Sequence, residues 1–303
     1  MSGDNLCDKM SNKFIVSVIK KLSPKEFPPL LREITDPPAE LYLEGEWPGE
    51  DFTYLTIVGS RKFSHYGREA CEKIVAELAG YPLVIVSGLA LGIDTLAHEA
   101  ALAARLKTIA VPGSGLDRSV IHPHSNCRLA DKIAAGGGAL LSEFPPAMPA
   151  GLHTFPRRNR LMAGLAKASL IIEAGERSGT LITARLALEY GRDVLAVPGP
   201  IFSLNSIGTN RLIKQGAGAV TSGADVLEAL GFAPEENNQR QLNLTELTPE
   251  ERKLIDLLIV ENLTRDELIR QLNFSVSEAN ALIAVLEIKG VIKEVGGEMQ
   301  LLI

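Results

Sequence analysis

The chain has 303 residues, of which 46% are hydrophobic and 22% are charged, a composition typical of a globular protein with a sizeable core. Its formal net charge of -6 excludes general attraction to nucleic acid, so any such binding must be local. Three scattered cysteines are too few for a disulfide framework or a zinc site, and no apolar run reaches the roughly 18 residues that span a bilayer. We therefore expect a cytoplasmic protein with no metal, no cofactor and no membrane association.

Residues 1–50 are predicted to be a short, proline-rich N-terminal extension with one helix around residues 11–22. From residue 51 to residue 232, short apolar runs alternate with helical patterns, which predicts an α/β domain with a parallel sheet covered on both faces. The predicted strands are Tyr54–Val58, Leu83–Val86, Thr108–Val111, Ala139–Leu141, Ser169–Ile172, Val194–Val197 and Ala217–Val220. Sheets of this kind bind ligands in a crevice at the carboxyl ends of their strands.

A polar stretch at residues 233–245 predicts a linker, and residues 246–303 predict a winged-helix domain. Three capping boxes, in which a hydroxyl and a carboxylate bind free backbone N–H groups, mark three helix starts: Thr248, Thr264 and Ser275. Two apolar segments then flank Gly296-Gly297 and predict a β-hairpin. Three helices followed by a hairpin are the elements of a winged helix.

The segment from residue 153 to residue 167 gathers cations in an otherwise acidic chain. It contains no acid and four basic residues: Arg157, Arg158, Arg160 and Lys167. Guanidinium groups match phosphate oxygens two at a time, and Phe155 offers a surface on which a base could stack. The segment therefore indicates an anion site, and the alternative is a solvated basic turn before an amphipathic helix.

Polar loops follow several predicted strands. Gly59-Ser60-Arg61 follows the first strand, and Ser178-Gly179 precedes a helix, so both can present backbone N–H groups to an anion or serve as plain turns. Asn210 and Lys214 lie one helical turn apart and can add a phosphate contact or form an exposed helix face.

Two carboxylates and a histidine near these loops invite a catalytic interpretation. Glu173 ends a predicted strand, where its carboxylate could be a catalytic base or could order a nearby arginine. Asp94 and His98 lie one helical turn apart on a predicted helix. No nucleophile, metal set or third acid–base partner accompanies them. We therefore expect all three residues to have structural or site-ordering roles.

Seven motifs occur in order between Phe27 and Asp225: Val58-Gly-Ser-Arg61, Ser87-Gly-Leu-Ala-Leu-Gly-Ile-Asp94, Leu141-Ser-Glu-Phe-Pro145, Phe155-Pro-Arg-Arg-Asn-Arg160, Ser178-Gly-Thr-Leu-Ile-Thr-Ala184, Ala196-Val-Pro-Gly199 and Asn210-Arg-Leu-Ile-Lys-Gln-Gly-Ala217. This series resembles the DNA-processing protein A family (DprA/Smf). The resemblance implies an extended Rossmann-like domain that binds single-stranded DNA through its backbone. It also implies a homodimer that protects incoming strands and loads the RecA recombinase on them during natural transformation.

On this basis we expect a non-enzymatic recombination mediator whose DNA contacts come from the polar loops and the basic segment. The expected contact residues are Gly59, Ser60, Arg61, Phe155, Arg157, Arg158, Asn159, Arg160, Lys167, Ser178, Gly179, Asn210 and Lys214.

Two other functions, an enzyme and a duplex-binding regulator, would use parts of the same sequence. A nucleotide-binding phosphoribohydrolase of the lysine-decarboxylase-like type would use the same crevice, with Glu173 or Asp94 as base. Its Pro-Gly-Gly-x-Gly-Thr loop is replaced here by Glu176-Arg-Ser-Gly-Thr180, which disfavours the enzyme. A duplex-binding regulator acting through the winged helix is disfavoured by charge, because residues 241–303 hold 11 acids and 6 bases.

Overall fold

The computed structural model describes residues 18–232, 248–272, 274–289 and 291–301. The chain divides into two compact units, residues 1–233 and residues 234–303. The predicted linker at 233–245 and most of the helix predicted at 11–22 lie outside the described residues. The last residues of the predicted helix are not helical: Lys20–Leu22 is a strand whose backbone pairs with Leu41–Gly45, so the prediction is wrong there. Pairing with a distant strand overrides the local pattern there.

Within residues 18–232, nine strands form one sheet. In chain order they are β1 Lys20–Leu22, β2 Leu41–Gly45, β3 Thr53–Val58, β4 Leu83–Ser87, β5 Lys107–Ala110, β6 Ala139–Ser142, β7 Ala168–Ile171, β8 Asp193–Ala196 and β9 Gly218–Ala219. Their order across the sheet is β1-β2-β6-β5-β4-β3-β7-β8-β9. Strands β3 to β9 run parallel, and the pairs β1·β2 and β2·β6 are antiparallel. The predicted α/β class is confirmed, and each of the seven predicted strands lies within one residue of its observed bounds.

Helices cover both faces of this sheet, and none in the described part of the chain has the length and hydropathy needed to cross a bilayer. They are α1 Pro29–Arg32, α2 His65–Glu77, α3 Ile93–Ala103, α4 Cys127–Ala135, α5 Thr154–Leu165, α6 Thr180–Glu189, α7 Ile207–Lys214 and α8 Gly223–Ala229. Side chains of β4 alternate between two cores, because successive strand residues point to opposite faces. Val84 and Val86 pack in the core that contains α5 and α6, while Leu83 and Ile85 pack with α2, α3 and α8.

The order of the strands creates a crevice between β3 and β7. From β3 the chain passes through α2 to β4 on one side, whereas β7 lies on the other side of β3. The loops that leave β3 and β7 therefore diverge, which is where sheets of this type open to ligands. Gly92 has a φ of 92°, and a Cβ there would collide with the Ser60 carbonyl, so only glycine lets the loops after β3 and β4 touch.

The second unit has its own core and the predicted elements of a winged helix. They are α9 Pro249–Val260, β10 Leu263–Thr264, α10 Arg265–Leu272, α11 Val276–Ile288, β11 Ile292–Val295 and β12 Glu298–Leu301. All three predicted capping boxes form. The hairpin turns at Gly296 and Gly297, whose φ values are 63° and 89°. The winged-helix prediction is confirmed.

Candidate functional site

A crevice of about 680 Å³ lies at the carboxyl ends of β3 and β7. Its walls are the loop after β3, the loop from Gly175 to Thr180 and the first turns of α5. Three exposed cations line it: Arg61, Lys62 and Arg177. Among the described residues that line the crevice, Asp94 is the single carboxylate, and it is buried. The accessible surface of the crevice is therefore positively charged.

The start of α6 adds to this positive character. Ser178, Gly179 and Thr180 line the crevice, and Gly179 occupies the N-cap position without a side chain that could cap the helix. The first N–H groups of a helix and the positive end of its dipole attract anions. The positive end of α6 thus faces the same space as the three exposed cations.

Phe155 is held against the wall of the crevice rather than standing free. The Arg61 guanidinium lies 5.4 Å from the centre of its ring, and the His122 ring centre lies 6.0 Å away. A Cβ at Gly113 would come within 2.6 Å of the ring, so glycine is needed for Phe155 to pack there. This packing orients Arg61 through a cation–π contact.

Arg158 is buried in the floor of the crevice, where its donors bind the protein itself. Its Nη1 donates to the carbonyls of Gly88 and Val111, which follow β4 and β5. Asp94 lies on the same side of Gly88 as Arg158 and is bound by the backbone N–H groups of Gly88 and Ala90. Burial lowers the pKa of Arg158 to about 10 and raises the pKa of Asp94, while the attraction between the two opposes both shifts. The arginine remains charged at neutral pH.

Arg160 and Arg157 share the carboxylate of Glu143, which follows β6. Arg160 is buried, and it pairs with Glu143 and also donates to the backbone carbonyl of Asp36. Arg157 is exposed, with Nη2 3.1 Å from the Glu143 Oε2 and its guanidinium 5.5 Å from the centre of the Phe144 ring. Arg160 therefore fastens the N-terminal segment to α5.

Glu173, Asp94 and His98 are each held by contacts within the protein. Glu173 binds Ser64, the N-cap of α2, rather than the arginine that the sequence suggested: it accepts from the Ser64 N–H at 2.9 Å and from the hydroxyl at 2.5 Å. His98 is fully buried, and its Nδ1 donates at 2.7 Å to Thr108 Oγ1, which itself donates to a backbone carbonyl. Burial lowers the pKa of His98 to about 3, so the ring is neutral at pH 7.

The crevice unites eight of the thirteen residues predicted as DNA contacts: Gly59, Ser60, Arg61, Phe155, Arg158, Asn159, Ser178 and Gly179. It does not include Arg157, Arg160, Lys167, Asn210 or Lys214. Lys167 directly precedes β7, so it lies at the amino ends of the parallel strands, away from the crevice at their carboxyl ends. Its Nζ donates to the Leu230 carbonyl at 2.7 Å. The Asn210 amide binds both the N–H and the carbonyl of Gly199, and Lys214 is the last residue of α7.

Among the other residues that line the crevice, three carry side-chain N–H donors that the sequence prediction did not include: Lys62, Arg177 and Asn205. Lys62 directly follows the Gly59-Ser60-Arg61 motif, and Arg177 directly precedes Ser178-Gly179, so both could have been found by extending those motifs by one residue. Asn205 is in a loop that has no motif of its own. Its Nδ2 donates to the Lys62 carbonyl at 2.9 Å.

The fold and the crevice define a Rossmann-like α/β protein with a positively charged candidate ligand site between the diverging loops that follow β3 and β7. Residues 19–231 match the family described as DNA recombination-mediator protein A, and residues 238–298 match the DprA winged helix domain. The chain therefore belongs to the DNA recombination-mediator protein A family, and the resemblance to DprA/Smf proteins is confirmed.

Similar proteins are found in several bacteria. Protein Smf of Escherichia coli K12 is 48% identical over 206 residues, which are 68% of this chain and 54% of Smf, so the chain spans about half the length of that relative. The crystal structure of DprA from Streptococcus pneumoniae aligns with a TM-score of 0.66 and 45% identity over 69% of this chain and 74% of that one. A DprA structure from Helicobacter pylori, described for its single-stranded DNA binding mode, aligns with a TM-score of 0.64 and 30% identity over 71% and 96%.

Replacing Arg158 by Met should lower the free energy of unfolding by about 3–5 kcal/mol, because Asp94 would remain as a buried charge without its partner. Urea unfolding followed by the fluorescence of Trp47, the single tryptophan, measures the loss. Adding Asp94→Asn to Arg158→Met should recover part of it, since an amide carries no charge. A loss below about 1 kcal/mol, the size of an ordinary substitution, would contradict this electrostatic role.

Proposed function

We propose that this protein is a non-enzymatic recombination mediator that binds the backbone of single-stranded DNA in the crevice. It acts in the cytoplasm as a homodimer and passes the strand to the RecA recombinase during natural transformation. The observation that carries the DNA-binding proposal is the set of exposed cations around the crevice, with no accessible carboxylate among its described lining residues. Membership of the recombination-mediator family supports RecA loading and the homodimer.

The chemistry of the crevice favours phosphates over bases as the first contact. Arg61, Lys62 and Arg177 present N–H donors, and the positive end of the α6 dipole, with no acidic residue in its first turn, faces the same space. Donors of this kind bind phosphate oxygens of any nucleotide and carry no sequence information. We infer that Arg158 and Arg160 hold the loops in place rather than contacting the strand, because both are buried and bind protein acceptors.

Alanine substitution of Arg61, Lys62 or Arg177 should each weaken binding of single-stranded DNA by about 1–3 kcal/mol, equally for all sequences. Each lost phosphate contact should also reduce the steepness of the log–log salt dependence by about 0.7. Lys214→Ala is the matched control, because Lys214 is exposed but does not line the crevice. Fluorescence anisotropy at two salt concentrations measures both quantities. Unchanged affinity in all three crevice variants would place the strand elsewhere.

The phosphoribohydrolase alternative lacks a catalytic base in this crevice. Glu173 binds Ser64 and does not line the crevice, and Asp94 is buried against backbone N–H groups. We therefore expect no release of free base when the protein is incubated with nucleoside monophosphates, which chromatography of the products can test. Base release that disappears in Glu173→Gln, while Lys214→Ala keeps it, would establish the enzyme instead.

We further propose that residues 246–303, joined through the linker at 233–245, form a protein-interaction module rather than a duplex reader. The helix that a winged helix would place in the major groove, α11, carries Glu278 and Asn280 but no arginine or lysine between Val276 and Ile288. Glu294 and Glu298 flank the turn of the hairpin and would repel phosphates.

Deleting residues 246–303 should therefore leave the affinity for single-stranded DNA within about threefold, or roughly 0.7 kcal/mol. The isolated winged-helix domain should show no binding to duplex DNA at physiological salt in an electrophoretic shift assay. Duplex binding in the micromolar range, or a large loss of single-strand affinity on deletion, would show that the domain contacts DNA.

A further inference from the structure

The loop between β8 and α7 exposes three large apolar side chains within four residues. Ile201, Phe202 and Leu204 are 79%, 93% and 77% exposed. Their backbone is nevertheless ordered by two turns, in which the Ser203 N–H donates to the Pro200 carbonyl at 3.0 Å and the Ser206 N–H donates to the Ser203 carbonyl at 3.1 Å. A contiguous apolar surface held outward by a fixed backbone marks a binding surface. We call residues 200–206 the apolar loop.

The apolar loop is fastened to the edge of the crevice. Asn205 lines the crevice, and its amide binds the Lys62 carbonyl and lies 3.4 Å from the Glu173 carboxylate. The Ala174 N–H donates to the Asn205 carbonyl at 2.8 Å. The loop thus joins the ends of β3 and β7 and lies beside the crevice at Asn205.

The chemistry of this surface limits what can cover it. No acid occurs from Pro198 to Thr209, and the Glu173 carboxylate near Asn205 is buried and bound by Ser64. The exposed cations of the adjoining crevice are Arg61, Lys62 and Arg177. A ligand that binds both the apolar loop and the positively charged crevice must combine a negatively charged backbone with flat apolar faces. Single-stranded nucleic acid has both, whereas a duplex hides its base faces within the stack.

Phe202 is also a highly exposed aromatic ring, at 93% against 42% for the nearby Tyr66, whose hydroxyl is bound to the Pro198 carbonyl. Phe155, the aromatic residue within the crevice, is packed against Gly113 and covered by Arg61 and His122. We propose that Phe202, flanked by Ile201 and Leu204, is a stacking platform for an unpaired base of the strand whose phosphates lie in the crevice. This assignment rests on the proposed function and adds base stacking to its phosphate contacts.

The experiment compares Phe202→Ala, Phe202→Leu and Phe202→Trp on two oligonucleotides of equal length, oligothymidine and an abasic strand with the same backbone. Loss of a stacked base weakens binding about 5- to 150-fold. Phe202→Ala and Phe202→Leu should therefore bind oligothymidine more weakly by this factor and should bind the abasic strand like the wild type. Phe202→Trp should retain oligothymidine affinity. Leu188→Ala, an exposed apolar position on α6, is the matched control and should change neither affinity.

Each other outcome separates this proposal from the function on which it rests. If Phe202→Ala and Phe202→Leu both bind oligothymidine as tightly as the wild type, Phe202 is not a stacking platform, and the proposed phosphate contacts in the crevice are unaffected. An equal loss on both strands overturns it as well, because the abasic strand has no base to stack. Intact DNA affinity with a changed oligomeric state in Phe202→Ala makes the apolar loop a contact between copies of the chain. Absence of single-strand binding by the wild type overturns the proposed function itself.

Discussion

The buried guanidinium of Arg158 is the constraint around which the crevice is built. A charge removed from water needs acceptors on every side, and here they come from the carbonyls of Gly88 and Val111 and from the attraction of Asp94. Gly88 has to lack a Cβ because Arg158 and Asp94 occupy that space. One side chain on α5 thus fixes the loops that follow β4 and β5 and closes the floor of the crevice.

This arrangement divides the basic residues into two groups with different tasks. Arg158 donates from Nη1 to two backbone carbonyls, and Arg160 pairs with Glu143 and donates to the Asp36 carbonyl, so both side chains stabilise the walls of the crevice. Arg61, Lys62 and Arg177 lie at the surface. Interactions of exposed charges are individually weak and screened by salt. A strand held by such contacts can be released, which suits a protein proposed to pass its DNA to a recombinase.

Two helix starts at the ends of β3 and β7 are closed in different ways. The N-terminus of α2 is closed by Ser64, which Glu173 binds through both of its oxygens, so that end has its anion supplied by the protein. At the N-terminus of α6, the neutral Ser178 hydroxyl accepts from the Thr180 N–H at 3.3 Å, and the first turn holds no acidic residue. The structure therefore places one positive helix end without a protein anion in the crevice, next to the exposed cations, and uses the other to hold β7 against α2.

The sequence by itself determined the strands β3 to β9, the capping boxes and the presence of a polar loop after β3, because these depend on local periodicity and on residues that are near neighbours in the chain. The position of Lys167 outside the crevice was also open to prediction, since it lies two residues before the strand predicted to begin at Ser169. Only the tertiary structure decided which arginines of the basic segment are buried and which is exposed. Successive helix residues point about 100° apart, and whether Arg158 is buried depends on loops at Gly88 and Val111 that are distant in sequence. Burial and pairing arise from packing across the whole sheet, and no local pattern contains that information.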